Sequence, residues 1–456
     1  MNTSKKMKFK EMPEIKKQTI CIVGMGFVGL TLAVVLAESG FEVTGIEINK
    51  STLNKISNGK THFYELGLEQ RLKAVINNGS LVIKQKIESK MSFDIYIITV
   101  GTPLNEKGEP NLTMVKRATQ EVVSAMKGSE LVILRSTVQI GTTRNIVLPL
   151  LKASKLQFSL AFCPERTIEG NALAELKSLP QICGGLNDED TWRAATLFQS
   201  ITPTTMRVKN LETAELIKLL DNSYRDLFFS FGNEVAMICD SVGVDAHEVI
   251  NLGGFGYERT NIASPGLVGG PCLEKDPHIL EFSLKKFKFI PRLIKTGRNI
   301  NENLIKYTCD KIFDHIKKNK LNPLKIAITG MAFKGRPETD DLRGTPSKLL
   351  IEKLKELFPL SKIVIHDFAC DEHSLKIFSG CKAVSIEDVF KKSDIVFVAN
   401  NNLKYQKLDL FTLANSMSKK SIIYDFWNQF DFAKDDMPSH VNYYSLGGYN
   451  KLSKNV

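Results

Sequence analysis

The sequence predicts an α/β chain in which two doubly wound parallel sheets are joined by a helical middle. Three observations lead there. A short apolar strand, Thr19 to Val23, runs directly into Gly24-Met-Gly26-Phe-Val-Gly29 and then an apolar helix pattern ending at Ser39. Further apolar strands follow, each ending in small polar residues. After a long helical stretch the strand–helix rhythm restarts at Leu324, with no second glycine fingerprint. The expected divisions are a basic tail over 1–18, a cofactor-binding domain over 19–208, a helical middle over 209–320 and a second α/β domain over 321–449.

The first strand, the glycines, the helix capped by Gly40 and a second strand from Glu42 to Ile46 form a dinucleotide fingerprint in its required context. The glycines allow a tight turn and close approach of a pyrophosphate to the helix N-terminus. Glu47 ends the second strand, where an acid accepts hydrogen bonds from the adenosine ribose and disfavours a 2′-phosphate, so NAD is expected over NADP. Three more strands are expected. Phe93 to Val100 runs into Gly101-Thr102-Pro103, Glu130 to Leu134 into Arg135-Ser136-Thr137-Val138, and Gln157 to Phe162 into Cys163-Pro164-Glu165-Arg166. In an open parallel sheet the ligand crevice lies at the carboxyl ends of the strands. Thr102, Thr137 and Glu165 are therefore expected on the nicotinamide side. Each alone is also what a turn or a helix cap would show, but their recurrence points to function.

Glu212 to Val242 reads as one long helix. Lys218, Asn222 and Arg225 fall on a single face of it, along roughly 10 Å, as either a functional stripe or a solvent face. Next comes Tyr257-Glu-Arg259, then Gly266-Leu-Val-Gly269-Gly-Pro-Cys272-Leu-Glu-Lys275-Asp276-Pro. A thiol attacks only as thiolate, a form that a nearby cation favours, and the glycines admit a substrate. A lone cysteine is more often a buried apolar residue. Its Gly-Pro loop and charged neighbours make Cys272 a candidate covalent catalyst. Leu280 to Lys320 is expected as a largely helical, lysine-rich connector that joins domains and forms a dimer.

In the second α/β unit, strands are expected at Leu324 to Thr329, Ile363 to His366, Asp394 to Val398 and Ser421 to Tyr424, with a helix over Thr345 to Leu357. Its first loop carries Phe333, Lys334 and Arg336, followed by Asp340-Asp341-Leu-Arg343. Phe333 can cover a flat base or sugar face and the cations can meet a diphosphate, although loop charges are also ordinary solvated groups. The segment from Leu446 through Tyr449 is expected to be loosely ordered.

Composition narrows the classes. The chain has 456 residues and a net charge of +11, much of it in Met1 to Gln18. A solvated end and an anionic small substrate account for that charge without nucleic acid. Eight cysteines include no C-x-x-C pair, so no metal site or disulfide framework is expected. No apolar run approaches the ~18 residues needed to span a bilayer. A reduced, cytoplasmic protein without membrane insertion is expected.

With these motifs assembled, the chain from about Lys17 to Tyr449 resembles the UDP-glucose/GDP-mannose dehydrogenase family. The resemblance rests on the N-terminal fingerprint, Gly-Thr-Pro, Ser-Thr-Val, Pro-Glu-Arg, Glu-Leu-Ile-Lys218, the Cys272 loop, and Phe333-Lys334 through Asp341-Leu-Arg343. It implies two Rossmann-like domains joined by a central helical dimerisation domain, a homodimer, and oxidation of the C6 alcohol of a nucleotide sugar to a carboxylate with two NAD in succession. It implies catalytic roles for Cys272, Lys218, Asp276, Glu165 and Asn222. For the cofactor it implies Gly24, Gly26, Phe27, Val28, Gly29, Glu47, Thr102, Thr137, Lys275 and Arg343. For the sugar nucleotide it implies Arg166, Thr167, Lys218, Asn222, Arg225, Tyr257, Arg259, Gly269, Phe333 and Lys334.

Pro164-Glu-Arg166-Thr167, Asn222-x-x-Arg225 and Tyr257-x-Arg259 look like the branch acting on UDP-N-acetylhexosamines, whereas UDP-glucose enzymes typically lack the arginine at position 225. Glu47 stands where Asp is commoner, Ile140 where Pro is usual, and Gly344 where a larger residue often follows; none of these removes a reacting group. The rival readings are a UDP-glucose 6-dehydrogenase, a simple 3-hydroxyacid dehydrogenase, which needs neither Cys272 nor the second α/β unit, and a non-catalytic NAD-binding scaffold.

Overall fold

The computed structural model describes residues 18–88, 90–430 and 437–448; the basic tail over 1–17 and Tyr449 lie outside them. Packing divides the chain into two compact units, residues 1–218 and 219–456.

In the first unit the chain order is β1 (Thr19–Val23), α1 (Phe27–Glu38), β2 (Glu42–Ile46), α2 (Lys50–Ser57), α3 (Leu68–Asn77), β3 (Leu81–Lys84), β4 (Ile95–Ile98), α4 (Thr113–Ala125) and β5 (Glu130–Leu134). There follow a π-helical turn (Thr143–Val147), α5 (Leu148–Ala153), β6 (Phe158–Phe162), α6 (Ala172–Ser178), β7 (Gln181–Gly185), α7 (Asp188–Gln199) and β8 (Thr205–Val208). The strands form one sheet in the order β3-β2-β1-β4-β5-β6-β7-β8. Only the β6–β7 pairing is antiparallel. Strands β1, β4 and β5 are apolar along almost their whole length because helices cover both faces of a parallel sheet. The strand order reverses between β1 and β4, which is where a doubly wound sheet opens its ligand crevice.

Helix α8 (Leu211–Val242) runs from the first unit into the second. The second unit continues with α9 (Ala246–Gly254), α10 (Asp276–Leu284), α11 (Arg292–Lys318), β9 (Lys325–Thr329), α12 (Pro346–Leu357), β10 (Lys362–His366), α13 (Glu372–Ser379) and β11 (Lys382–Ala383). It ends with α14 (Ile386–Phe390), β12 (Ile395–Val398), α15 (Leu410–Asn415), β13 (Ser421–Asp425) and β14 (Val441–Ser445). Its sheet order, β11-β10-β9-β12-β13-β14, repeats the reversal around its first strand. One core joins the middle helices to this sheet: Ala236, Leu304, Cys309 and Ile312 pack with Ile326, Ile328 and Leu350.

The connector from Leu280 to Lys320 is largely helical, as expected, and comes in two pieces: α10 stops before Lys288, which is left-handed at φ 54°, and α11 starts after Pro291. Proline lacks an amide proton and pushes the residue before it away from helical geometry, so the chain breaks there. The segment from Leu446 is packed rather than loose. It continues a sixth strand, Leu446 is fully buried, and the Gly447 carbonyl accepts a 2.7 Å hydrogen bond from the Ala246 amide.

Candidate active site

The crevice of the first sheet is built by three glycines with separate duties. Gly24 turns the chain at φ +99° directly after β1, a conformation that favours glycine. Gly26 caps α1, and a methyl group there would meet nothing within 4 Å, leaving the backbone open to a ligand. Gly29 is required for packing, since a Cβ would lie 1.9 Å from the Gly24 carbonyl oxygen and 2.7 Å from Thr99 Oγ1. Phe27 and Val28 form the first turn of α1, whose N-terminus offers amide donors and carries no acidic side chain. Glu47 leaves β2 beside the glycine turn and accepts from the Met25 amide at 3.2 Å and the Asn49 amide at 2.7 Å, which fixes the carboxylate at the crevice edge. At the next strand ends, Thr102 Oγ1 donates to the Thr137 carbonyl at 2.5 Å, so the β4 and β5 loops are tied together. Glycine turn, open N-terminus and edge carboxylate fit a dinucleotide with a free ribose.

Beyond β6, Glu165 is buried against Arg135. Arg135 Nη2 lies 2.5 Å and Nε 3.2 Å from Glu165 Oε2. Glu165 Oε1 accepts from the Arg166 and Thr167 amides at 2.7 and 2.8 Å. Burial alone would raise the Glu165 pKa, but the Arg135 charge, the Thr167 amide and the more distant Lys218 ammonium hold it below the ordinary carboxylate range. Arg135 also donates to Gln181 Oε1 at 2.8 Å and to the Cys163 carbonyl at 3.0 Å, and its guanidinium lies 5.0 Å from the Phe198 ring centre. Sequence reasoning gave Arg135 and Gln181 no part. The available signal was a charged residue ending the unbroken apolar run Leu131–Leu134. The Arg166 side chain donates to the Pro180 carbonyl at 2.7 Å, and Thr167 Oγ1 is buried with no hydrogen-bond partner. Lys218 is 7% exposed, one helical turn before Asn222.

In the second unit, Asp276 is fully buried at the start of α10. Asn222 Nδ2 donates to its Oδ2 at 2.6 Å, and Lys275 Nζ lies 2.7 Å from its Oδ1. Burial opposes the charge on Lys275, yet the Asp276 carboxylate and Cys272 outweigh it and raise the lysine pKa. Cys272 is exposed, whereas the other cysteines are buried apart from the half-buried Cys370. Cys272, Asp276 and Asn222, three of the five residues expected to be catalytic, are therefore brought together, joined by Lys275, which was expected on the cofactor. Its loop is packed tightly: the Gly270 amide donates to the Gly344 carbonyl at 2.7 Å, and a Cβ on Gly270 would fall 2.4 Å from the Phe333 ring. A Cβ on Gly269 would meet the Gly344 oxygen at 2.4 Å, while Lys334 Nζ lies 5.4 Å from the Phe333 ring centre. Gly344 is at φ +60°, where a side chain is strained; a Cβ there would lie 3.0 Å from the Gly270 backbone and would push the Glu274 carboxylate aside. Arg343 is exposed and forks onto Asp341.

Arg225 departs from the stripe on α8, being exposed where Asn222 is buried. Tyr257 and Arg259 are exposed and stack on each other at 4.8 Å. Among the described residues no group of histidine, cysteine and acidic side chains could hold a metal, and no helix is long and apolar enough to cross a membrane.

Models of the UDP-glucose/GDP-mannose dehydrogenase family match the chain in three consecutive segments: the NAD binding domain over residues 18–202, the central domain over 212–303 and the UDP binding domain over 327–432. A UDP-N-acetyl-D-mannosamine dehydrogenase from Methanococcus maripaludis is 34% identical, covering 81% of this chain and 84% of its own. Another from Pyrococcus horikoshii is 30% identical, covering 89% of this chain and 94% of its own. The solved structure of a UDP-D-ManNAc dehydrogenase from Pyrococcus horikoshii superposes with a TM-score of 0.84 at 30% identity, over 94% of this chain and 99% of that one. The chain belongs to the UDP-glucose/GDP-mannose dehydrogenase family and is an NAD-dependent nucleotide-sugar dehydrogenase.

Proposed function

We propose that this enzyme oxidises the C6 alcohol of a UDP-N-acetylhexosamine, with UDP-N-acetylmannosamine the first candidate, to the uronate by way of a covalent adduct on Cys272. The observation that carries the reading is an exposed cysteine in a closely packed glycine loop, with Lys275 and the buried Asp276 in the turn that follows. NAD, held by the glycine turn, the α1 N-terminus and Glu47, would supply the hydride acceptor for both oxidations. In the first, a water held by Asp276 relays the C6 hydroxyl proton to that carboxylate. The Cys272 thiolate then adds to the C6 aldehyde, converting it to a thiohemiacetal that stays in the site for the second oxidation. Lys218 and Asn222 donate to the developing oxyanion. The resulting thioester is hydrolysed by water that Glu165 or Asp276 orients, which returns the thiol and releases the carboxylate.

The sugar assignment draws on the relatives' substrates and on Arg166, Thr167, Arg225, Tyr257 and Arg259 as contacts for the sugar nucleotide. Phe333 and Lys334 would meet its nucleotide, with Lys275 and Arg343 assigned to the cofactor. The product is a precursor of surface polysaccharide made in the cytoplasm, where nucleotide sugars and NAD are found. We also propose a homodimer. On α8, Leu220, Tyr224, Phe231, Ile238 and Val242 are exposed and recur on one face, a stripe suited to a second copy.

A panel of UDP-sugars assayed by NADH absorbance tests the activity. Two NADH per sugar, fastest with UDP-N-acetylmannosamine, is the expected result. Faster turnover of UDP-glucose would select the UDP-glucose 6-dehydrogenase reading, one NADH per sugar would reduce the enzyme to a simple alcohol dehydrogenase, and none would leave a scaffold. Cys272→Ala should abolish uronate formation while nucleotide-sugar binding persists.

A further inference from the structure

We infer that a buried chain of polar side chains on α8 and α11 positions Cys272 by holding its loop at both ends. The inference rests on the reading of Cys272 as the nucleophile.

The chain can be followed atom by atom. At the start of the loop the Gly266 amide donates to Asn233 Oδ1 at 2.9 Å. Asn233 Nδ2 donates in turn to Asn301 Oδ1 at 2.9 Å. Asn301 Nδ2 donates to Asp226 Oδ1 at 2.9 Å and to the Asp226 carbonyl at 3.0 Å. Arg298 Nη1 lies 2.7 Å from the same Asp226 oxygen and donates at 3.0 Å to the carbonyl of Leu273, the residue after the cysteine. Arg298 Nε also reaches Glu302 at 3.3 Å, and Glu302 holds His278, two residues past Asp276, at 3.0 Å.

Asn233, Asp226, Arg298 and Asn301 are each no more than 4% exposed. Such groups are costly inside a protein without partners, and the bonds they do make specify a geometry. Asp226 Oδ2 makes no hydrogen bond and Arg298 Nε has only its ion-pair contact with Glu302, so the hold on the loop rests on the bonds traced above. An apolar contact between α8 and α11 would join the helices as firmly without fixing a backbone position. This chain instead ends on a backbone amide at Gly266, a backbone carbonyl at Leu273 and a side chain on α10. The loop that carries Cys272 is thereby pinned before the thiol, directly after it and beyond Asp276. These four are positioning residues, since none is placed at the reacting atoms.

The test uses the full-length enzyme with Arg298→Lys, Arg298→Met and Asn233→Ser. Alkylation of Cys272 by iodoacetamide, followed by mass spectrometry with Cys272→Ala as the blank, reads the thiol's setting without catalysis. Each folded variant should alkylate at a rate different from wild type across the pH range, with Met departing further than Lys. Turnover should fall about 10- to 100-fold, as sub-ångström to ångström displacement of a reacting group does, with KM for NAD and sugar changed by less than about threefold. If Arg298→Met does not fold, Asn233→Ser carries the same test, because it removes only the acceptor of the Gly266 amide and a partner of Asn301. Wild-type alkylation and turnover in folded Arg298→Lys and Asn233→Ser would overturn the inference. Altered alkylation with unchanged turnover would uphold the positioning and remove the covalent role of Cys272 instead.

Discussion

Replacing Arg135 with methionine should strand the Glu165 carboxylate. The two side chains are 1% and 9% exposed, so water cannot take the guanidinium's place. Removing one partner of a buried, hydrogen-bonded ion pair costs about 3–5 kcal/mol. For a folded unit of roughly 200 residues, each kcal/mol moves the melting temperature by about 2–4 °C. The first unit should therefore melt about 6–20 °C lower in Arg135→Met, read by differential scanning calorimetry at neutral pH.

The pH dependence follows from the lowered pKa of Glu165. A carboxyl whose folded value is depressed stabilises the protein above its ordinary value of 4.5 and loses that contribution as pH falls through the folded value. The gap between wild type and Arg135→Met should accordingly be largest at neutral pH and narrow below about 4.5. Glu165→Gln in the Arg135→Met background removes the stranded charge, and the double variant should melt above the single one. A loss under about 1 kcal/mol, or a gap that does not close in acid, would refute the buried-pair argument.

Three further outcomes are expected. Lys218→Ala should lower kcat more than it raises KM, because its main contact is with charge that develops during the reaction; an equal loss of substrate affinity in a binding titration would make it an anchor instead. Gly29→Ala should weaken NAD binding by forcing the Gly24 turn and α1 apart, since the added carbon falls 1.9 Å from the Gly24 oxygen; an unchanged Kd by calorimetry would refute this use of the glycine. Glu215 accepts from the Gly141 and Thr143 amides and from Thr143 Oγ1, yet burial pushes its pKa up to about 7. A raised carboxyl stabilises the fold below its ordinary value of 4.5 and loses that contribution as pH rises toward about 7. Melting temperature should show that decline between those values, and Glu215→Gln should flatten it.

What the sequence determined by itself is whatever the chain fixes over a few neighbouring residues. Strand β1, the glycine turn, α1 and β2 could be placed because apolar runs, a left-handed glycine and an acid at the strand end are local necessities of one βαβ unit. The Cys272 loop was legible for the same reason: its glycines and prolines specify a turn wherever it sits. The partners of those residues come from packing between segments far apart in the chain. Arg135 meets Glu165 across 30 positions, Asn233 meets Asn301 across 68, and Arg298 meets Asp226 across 72. On a helix read alone, Asp226, Asn233 and Asn301 look like a solvent face, since a polar side chain carries no mark of whether water or another side chain will satisfy it. The fate of Leu446 was hidden likewise, because a strand at a sheet's edge gains its order from the neighbour it pairs with. Desolvation makes the difference: once packing excludes water, each polar atom must find a fixed partner, and the fold alone brings that partner within reach.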